Sequence, residues 1–392
     1  MTGAGSRPRR LTDAFDPRAN SVNALRLVLA ALVLLSHALK LQGGVGPIGR
    51  ITSSDVDLGT MAVDGFFALS GFLVVGSYLA SPSTGRYLWR RCLRILPGFW
   101  VCLVVTAVVL LALGQLLEFG TLRGFPVTGD LSATSYVVDN AGLLIRQFEV
   151  RGLFGGQPVN GSLYTLFFEF VCYLGVAVLG VVGLLRTRRG LPVVAALAWL
   201  LAGVDWVLGG ALTSRSSLLD IGLRFGLMFL AGALAARYPH RVPMDRRGGV
   251  LAVLVLVAAV GVAGLVPAAD ATLAYRVLAP PAVAYLVLLA GSSPRLRRVG
   301  ARRDLSYGLY VYAWPVEVLY VLVGAGRWPL ALYALAALGT ALVLAWASWT
   351  VVEAPALRLK SWTPGRARGA GLPGHDRGTP ASLPSGDGPG AD

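Results

Sequence analysis

Charge is what this chain has least of. Only 14% of its 392 residues are Asp, Glu, Lys or Arg, against about 25% in a soluble domain of ordinary composition. Cysteine and histidine are scarcer still, at three each. Cys92, Cys102 and Cys172 show no ligand-type clustering, so neither a disulfide framework nor a metal is expected. Acidic residues are also in deficit, with 20 Asp and Glu against 35 Lys and Arg, for a net charge of +15. That excess raises nucleic acid as a partner, but its distribution along the chain points elsewhere.

What replaces charge is apolar length. Hydrophobic residues make up 55% of the chain and the mean hydropathy is +0.66. A polytopic membrane protein is the class this composition fits. Ten apolar runs, at about 22–41, 59–80, 95–114, 163–184, 191–210, 217–236, 249–267, 274–291, 305–324 and 329–352, approach the length needed to cross about 30 Å of hydrocarbon. The fold class expected is therefore all-α, with about ten transmembrane helices. With the N-terminus in the cytoplasm, 26 of the 35 Lys and Arg fall in the inner segments and nine elsewhere. This is the positive-inside pattern, and it predicts that both termini are cytoplasmic, in the plasma (inner) membrane. The basic excess becomes a topology signal with membrane lipids as its partner, and no nucleic acid is expected. Residues 1–20 and 361–392, rich in Arg, Pro, Gly and Ser, are expected to be disordered cytoplasmic tails around a membrane domain over 21–360.

An ionisable residue inside a span is costly and marks a functional site by default. His37 lies near the outer end of the first expected span, Asp64 near that of the second, Glu169 of the fourth and Glu317 of the ninth. His37 is also the only histidine in an expected span, and so the only imidazole available as a proton acceptor there. The inner side is basic: Arg26 opens the first span, and Arg90, Arg91 and Arg94 stand at the start of the third. Such guanidinium clusters suit phosphate groups. On a helix Arg26 and His37 share a face and stand about 16 Å apart. Each residue also has a structural alternative. The arginines can be topology determinants that snorkel to the interface, the histidine a helix–helix hydrogen-bonding residue, and Asp64 a helix cap. Glu317 and Asp205 lie close to interfaces and suit a structural role as well as a functional one.

Six motifs then fall in a familiar order. Arg26-x10-His37, "AVDGFFALSGFLV" (62–74), "RRCLRILPGFW" (90–100), "VNGSLYTLFFEFVCYL" (159–174), "DLSYGLYVYAWPVE" (304–317) and "VVEAPALRLK" (351–360) together resemble the integral-membrane acyltransferase-3 family over about residues 20–360. Ala313 departs from it, standing where many members have a histidine, which leaves His37 the more solitary candidate. The resemblance implies transfer of an acyl group, usually acetyl from acetyl-CoA, to a hydroxyl of a glycan, lipid-linked sugar or macrolide. It also implies functional importance for Arg26, His37, Arg90, Arg91 and Arg94.

On that basis the arginines would hold the phosphates of acyl-CoA. His37 would act as general base, oriented by a carboxylate: Asp64 first by depth, Glu169 second. No separate nucleophile with a base beside it stands out, although Ser70 is a candidate. The extracytoplasmic segment 115–162 is the natural place for acceptor contacts. Two other readings compete. A transporter or flippase would use the His and carboxylates as a proton relay, and a non-catalytic membrane subunit would need His37 only for association.

Overall fold

The computed structural model describes residues 9–52, 56–266 and 268–362. It is helical throughout, with no strand among the described residues. Helices α1 (Val22–Leu41), α2 (Leu58–Ala80), α3 (Thr84–Phe119), α4 (Tyr164–Val181), α5 (Gly190–Val207), α6 (Ser217–Arg237) and α7 (Arg246–Leu265) are each long and apolar enough to span a membrane. The next two, α8 (Ala271–Leu278) and α9 (Pro280–Gly291), meet at a 54° bend and together have the length and apolarity of one further span. Pro280 starts α9, where it can donate no hydrogen bond back into α8. α10 (Ser306–Leu322) has 17 residues, the lower edge of spanning length. α11 (Leu330–Ser361) closes the set. All ten expected runs thus fall on helices.

Two of them are longer than hydropathy suggests. α3 begins at Thr84 rather than near 95, and α11 runs on to Ser361. In both, basic residues in the terminal turns mask the helix from a hydropathy average while their stems continue the apolar surface. Each also contains a π-helical turn, Thr106–Leu110 in α3 and Trp349–Glu353 in α11.

Burial orders the bundle. α10 and α2 are heavily enclosed and α7 is the most exposed. The outward faces carry large apolar side chains, such as Val207 at 86% and Leu265 at 88% exposed. Exposed apolar surface on this scale is a lipid-facing belt. At the centre α2 crosses α6 closely. A Cβ at Gly71 would stand 2.0 Å from the Phe229 carbonyl oxygen, and one at Gly232 1.8 Å from that of Ala68. Small residues at a crossing let backbones approach where no hydrophobic drive separates helix from lipid. Phe67 and Phe225 stack beside it with centroids 4.1 Å apart.

The expected disorder of 1–20 does not extend to its second half. Leu11–Ala14 forms a helical turn, Leu11 is buried, and the Leu11 and Met244 amides bond the Val242 and Arg9 carbonyls. Residues 1–8 and 363–392 of the expected tails lie outside the described residues. The segment between α3 and α4 carries the helix Ala133–Asn140 and is held by buried amides. Asn140 Oδ1 accepts from the Arg146 and Gln147 amides, and Gln147 Nε2 donates to the Ser132 and Glu149 carbonyls.

Candidate active site

The register of α1 against α2 fixes depth. A Cβ at Gly59 would lie 2.5 Å from Ser36 Cβ, so residue 36 is level with 59 in this antiparallel pair. Asp64 is then level with residue 31, about 9 Å deeper than His37. Ser70 is level with residue 25, beside Arg26.

The arginine end is a cavity of about 520 Å³, whose lining includes Arg26, Arg90, Arg91, Arg94, Lys360 and Ser77. All four sequence-predicted arginines therefore meet in one place. Asp304 organises two of them: its Oδ2 lies 2.5 Å from Arg94 Nη2 and 3.4 Å from Arg26 Nη1, while Oδ1 accepts from the Ser306 hydroxyl. Burial disfavours the Asp304 carboxylate, but the Arg94 and Arg26 guanidinium groups outweigh it and hold its pKa well below the ordinary range. Arg91 packs over the rings of Tyr173 and Tyr87, at 5.6 and 5.9 Å. Arg90 and Arg91 meet no carboxylate among the described residues. The cavity thus keeps a surplus of positive charge.

A narrower pocket of about 40 Å³ shares Arg26 and Ser70 with that cavity and continues past Phe66, Thr165, Glu169 and Tyr310. Glu169 belongs here and not beside His37. Its Oε1 accepts from Tyr173 at 2.5 Å and from the Ser70 hydroxyl at 3.2 Å.

His37 stands at the other end of α1, with α10 as its neighbour. Its Nδ1 is 3.7 Å from Glu317 Oε2; the Glu317 side chain is fully buried and that of His37 16% exposed. The imidazole packs edge-on against Trp314, centroids 4.8 Å apart. Both Glu317 oxygens and His37 Nδ1 are buried without a hydrogen-bond partner. Two groups this close, each unsatisfied, are one small shift from bonding to each other.

Trp314 is fixed from the segment between α3 and α4. Its Nε1 donates to the Pro158 carbonyl at 2.8 Å, and Gly161 leaves room for its ring. Pro315 cannot donate to Val311, four residues back, and Asn160 Nδ2 bonds that freed carbonyl at 2.8 Å.

The expected pairing of His37 with Asp64 is therefore corrected. Asp64 is fully buried and bound through both oxygens by Arg224 of α6, at 2.9 Å. Asp205 is closed in the same way by the buried Arg276 of α8 and by Thr213. These are interhelical ties with their charge already answered.

The comparisons agree with the motif order. Residues 19–350 match the family described as "Acyltransferase domain". The chain belongs to the acyltransferase-3 family. It is similar to nodulation protein 10 of Rhizobium leguminosarum bv. viciae, 30% identical over 365 residues, covering 87% of this chain and 94% of that one. It is also similar to an O-acetyl transferase of Shigella phage Sf6, 28% identical over 357 residues, covering 86% and 95%. No solved structure gives a significant match. The protein is a multi-pass membrane O-acyltransferase for groups other than aminoacyl, with an acyl donor, an acceptor and surrounding lipid.

Several site residues of this acyltransferase carried weak signals in its sequence. Asp304 and Lys360 sat inside motifs without a distinguishing spacing. Arg224 lies within the expected 217–236 run, and an arginine there demands a counter-charge; that demand is the signal that points to Asp64. Glu317 was visible at the right depth but not as a neighbour of His37.

Proposed function

We propose that this O-acyltransferase takes an acyl group, acetyl, from acetyl-CoA and passes it to a hydroxyl of a glycan, lipid-linked sugar or macrolide, with His37 as general base. The observation that carries the reading is the two-ended arrangement on α1. An arginine cavity with a surplus of positive charge lies at one end, and a histidine–carboxylate pair lies about 16 Å away at the other. The similarity to an O-acetyl transferase supports acetyl as the group.

The CoA phosphates bind Arg90, Arg91, Arg94, Arg26 and Lys360, and the pantetheine arm follows α1 through the narrow pocket. Glu317 accepts the Nδ1 proton of His37, which leaves Nε2 free to take the proton of the acceptor hydroxyl. The hydroxyl oxygen then attacks the thioester carbonyl, the C–S bond breaks, and His37 returns the proton to the departing sulfur, which leaves as the CoA thiol. Positioning and one proton transfer suffice for a thioester, so no acyl-enzyme is needed. Glu169 and Ser70, level with Arg26, border the donor channel. The positive-inside pattern supports an inner-membrane enzyme with cytoplasmic termini and donor site.

The test is His37→Ala in purified membranes, read as acetyl transfer and as release of free CoA thiol. Loss of the base should lower turnover by about 10²–10⁴-fold. Full transfer by the variant would remove His37 from the mechanism.

A further inference from the structure

A second cavity, of about 700 Å³, lies away from the donor site among α5, α6 and α9. Its volume falls in the range of ligand pockets, roughly 300–1,000 Å³. One end is basic: Arg188 and Arg189 immediately precede α5, and Arg241 follows α6. None of the three pairs with a carboxylate among the described residues, and no acidic side chain lines the cavity. The N-terminus of the 18-residue α5 adds its own positive end there. Asp245, whose backbone meets the lining residue Tyr285, turns its carboxylate to its own helix and accepts from the Gly248 amide at 2.7 Å.

The rest of the wall is mostly apolar, including Trp199, Leu234 and Leu288, with Tyr238 and Tyr285 as its other aromatic residues. Trp199 is ten residues into α5, so the cavity extends roughly 15 Å from its basic end, half the thickness of a hydrocarbon core. α5 is among the least enclosed spans, and Leu197 and Leu200 on it are more than 60% exposed to lipid. The site is thus basic at headgroup level, apolar for one leaflet in depth, and bounded by a peripheral helix.

We propose that this cavity binds one anionic glycerophospholipid, its phosphate against Arg188, Arg189 and Arg241 and an acyl chain along Trp199, Leu234 and Leu288. Charge complementarity selects the headgroup, and depth selects a chain over a soluble phosphate. The acetyl-CoA competition below separates this site from a second nucleotide site. The occupant fills the space beside the bent α8–α9 span.

Native mass spectrometry of the full chain, with phosphatidylglycerol or phosphatidylcholine added, tests this. The wild type should hold one phosphatidylglycerol that resists detergent, and no phosphatidylcholine. The Arg188→Ala, Arg189→Ala, Arg241→Ala variant should lower that affinity by about a hundredfold, since each arginine near an anionic headgroup is worth roughly fivefold. Ala235→Phe, which fills the cavity, should abolish retention with acetyl transfer intact as the check of folding. Equal retention by wild type and arginine variant, or equal retention of phosphatidylcholine, overturns the proposal. So does loss in the arginine variant with none in a folded Ala235→Phe, which means a surface headgroup contact only. Displacement of the lipid by acetyl-CoA, marking a second nucleotide site, overturns it too. Should Ala235→Phe not fold, the arginine variant and the two-lipid comparison still decide.

Discussion

The carboxyl groups of this enzyme are alike in chemistry but do different work, and single substitutions separate them. Glu317 is the group beside His37, so Glu317→Gln should keep expression and thermal stability while lowering kcat by roughly 10²-fold, with the KM for acetyl-CoA unchanged. A fall in KM affinity with constant kcat would move Glu317 to the donor site. Asp64→Asn leaves Arg224 buried without its partner, at a cost of about 3–5 kcal/mol. It should show as a lower unfolding temperature in detergent, with turnover per folded molecule retained. Asp304 answers to pH. Its folded pKa is depressed by Arg94 and Arg26 after burial is overcome. The stabilisation is therefore complete above the unfolded value, near pH 4, and is lost as pH falls further toward the folded value. The Tm difference between wild type and Asp304→Asn should be constant from pH 5 to 8 and shrink below about pH 4; a difference that grows with acidity would contradict the pairing.

Helix α10 shows how one element carries both structure and chemistry. Its proline frees the Val311 carbonyl, Asn160 answers it, and the same segment pins Trp314 against His37. Asn160→Ala should destabilise by about 1 kcal/mol, the loss of one hydrogen bond to a carbonyl that keeps only the weaker Cys102 Sγ contact at 3.4 Å. Pro315→Ala restores an amide to the helix, so the double variant should recover most of that loss. Additive losses in thermal unfolding would show that Asn160 acts elsewhere. At this scale the sequence was easy to read for existence and hard to read for partnership. The ten apolar runs and the arginine face of α3 were legible because hydropathy and helical spacing report them directly. The pairing of His37 was not, because it depends on register. Counting residues from the span ends placed Asp64 level with His37, whereas the Gly59–Ser36 contact sets it two turns deeper. Glu169 was misplaced in the same way, since its level is set by α4 meeting Ser70 of α2. Interhelical choices of this kind lie in packing between distant segments, and a single helix's pattern is silent on them.

At the scale of the whole molecule, the proposed mechanism sets donor binding and proton transfer at opposite ends of one span. Arginines gather at the end of α1 where Arg26 enters, and His37 with Glu317 stands near the other, beneath the segment between α3 and α4. Acetyl-CoA is too charged to cross hydrocarbon unaided, so the side on which it is supplied decides whether the reaction runs. In the proposed orientation, which rests on the basic-residue bias, the arginine cavity faces the cytoplasm. Sealed inside-out vesicles should then consume external acetyl-CoA and release thiol. Right-side-out vesicles of the same protein content should stay silent until detergent opens them. The acetylated acceptor should be protected from external esterase in the first preparation. Equal activity of the two sealed preparations would mean that donor and acceptor share one face, and the span of α1 between Arg26 and His37 would then be scaffold rather than a passage across the membrane.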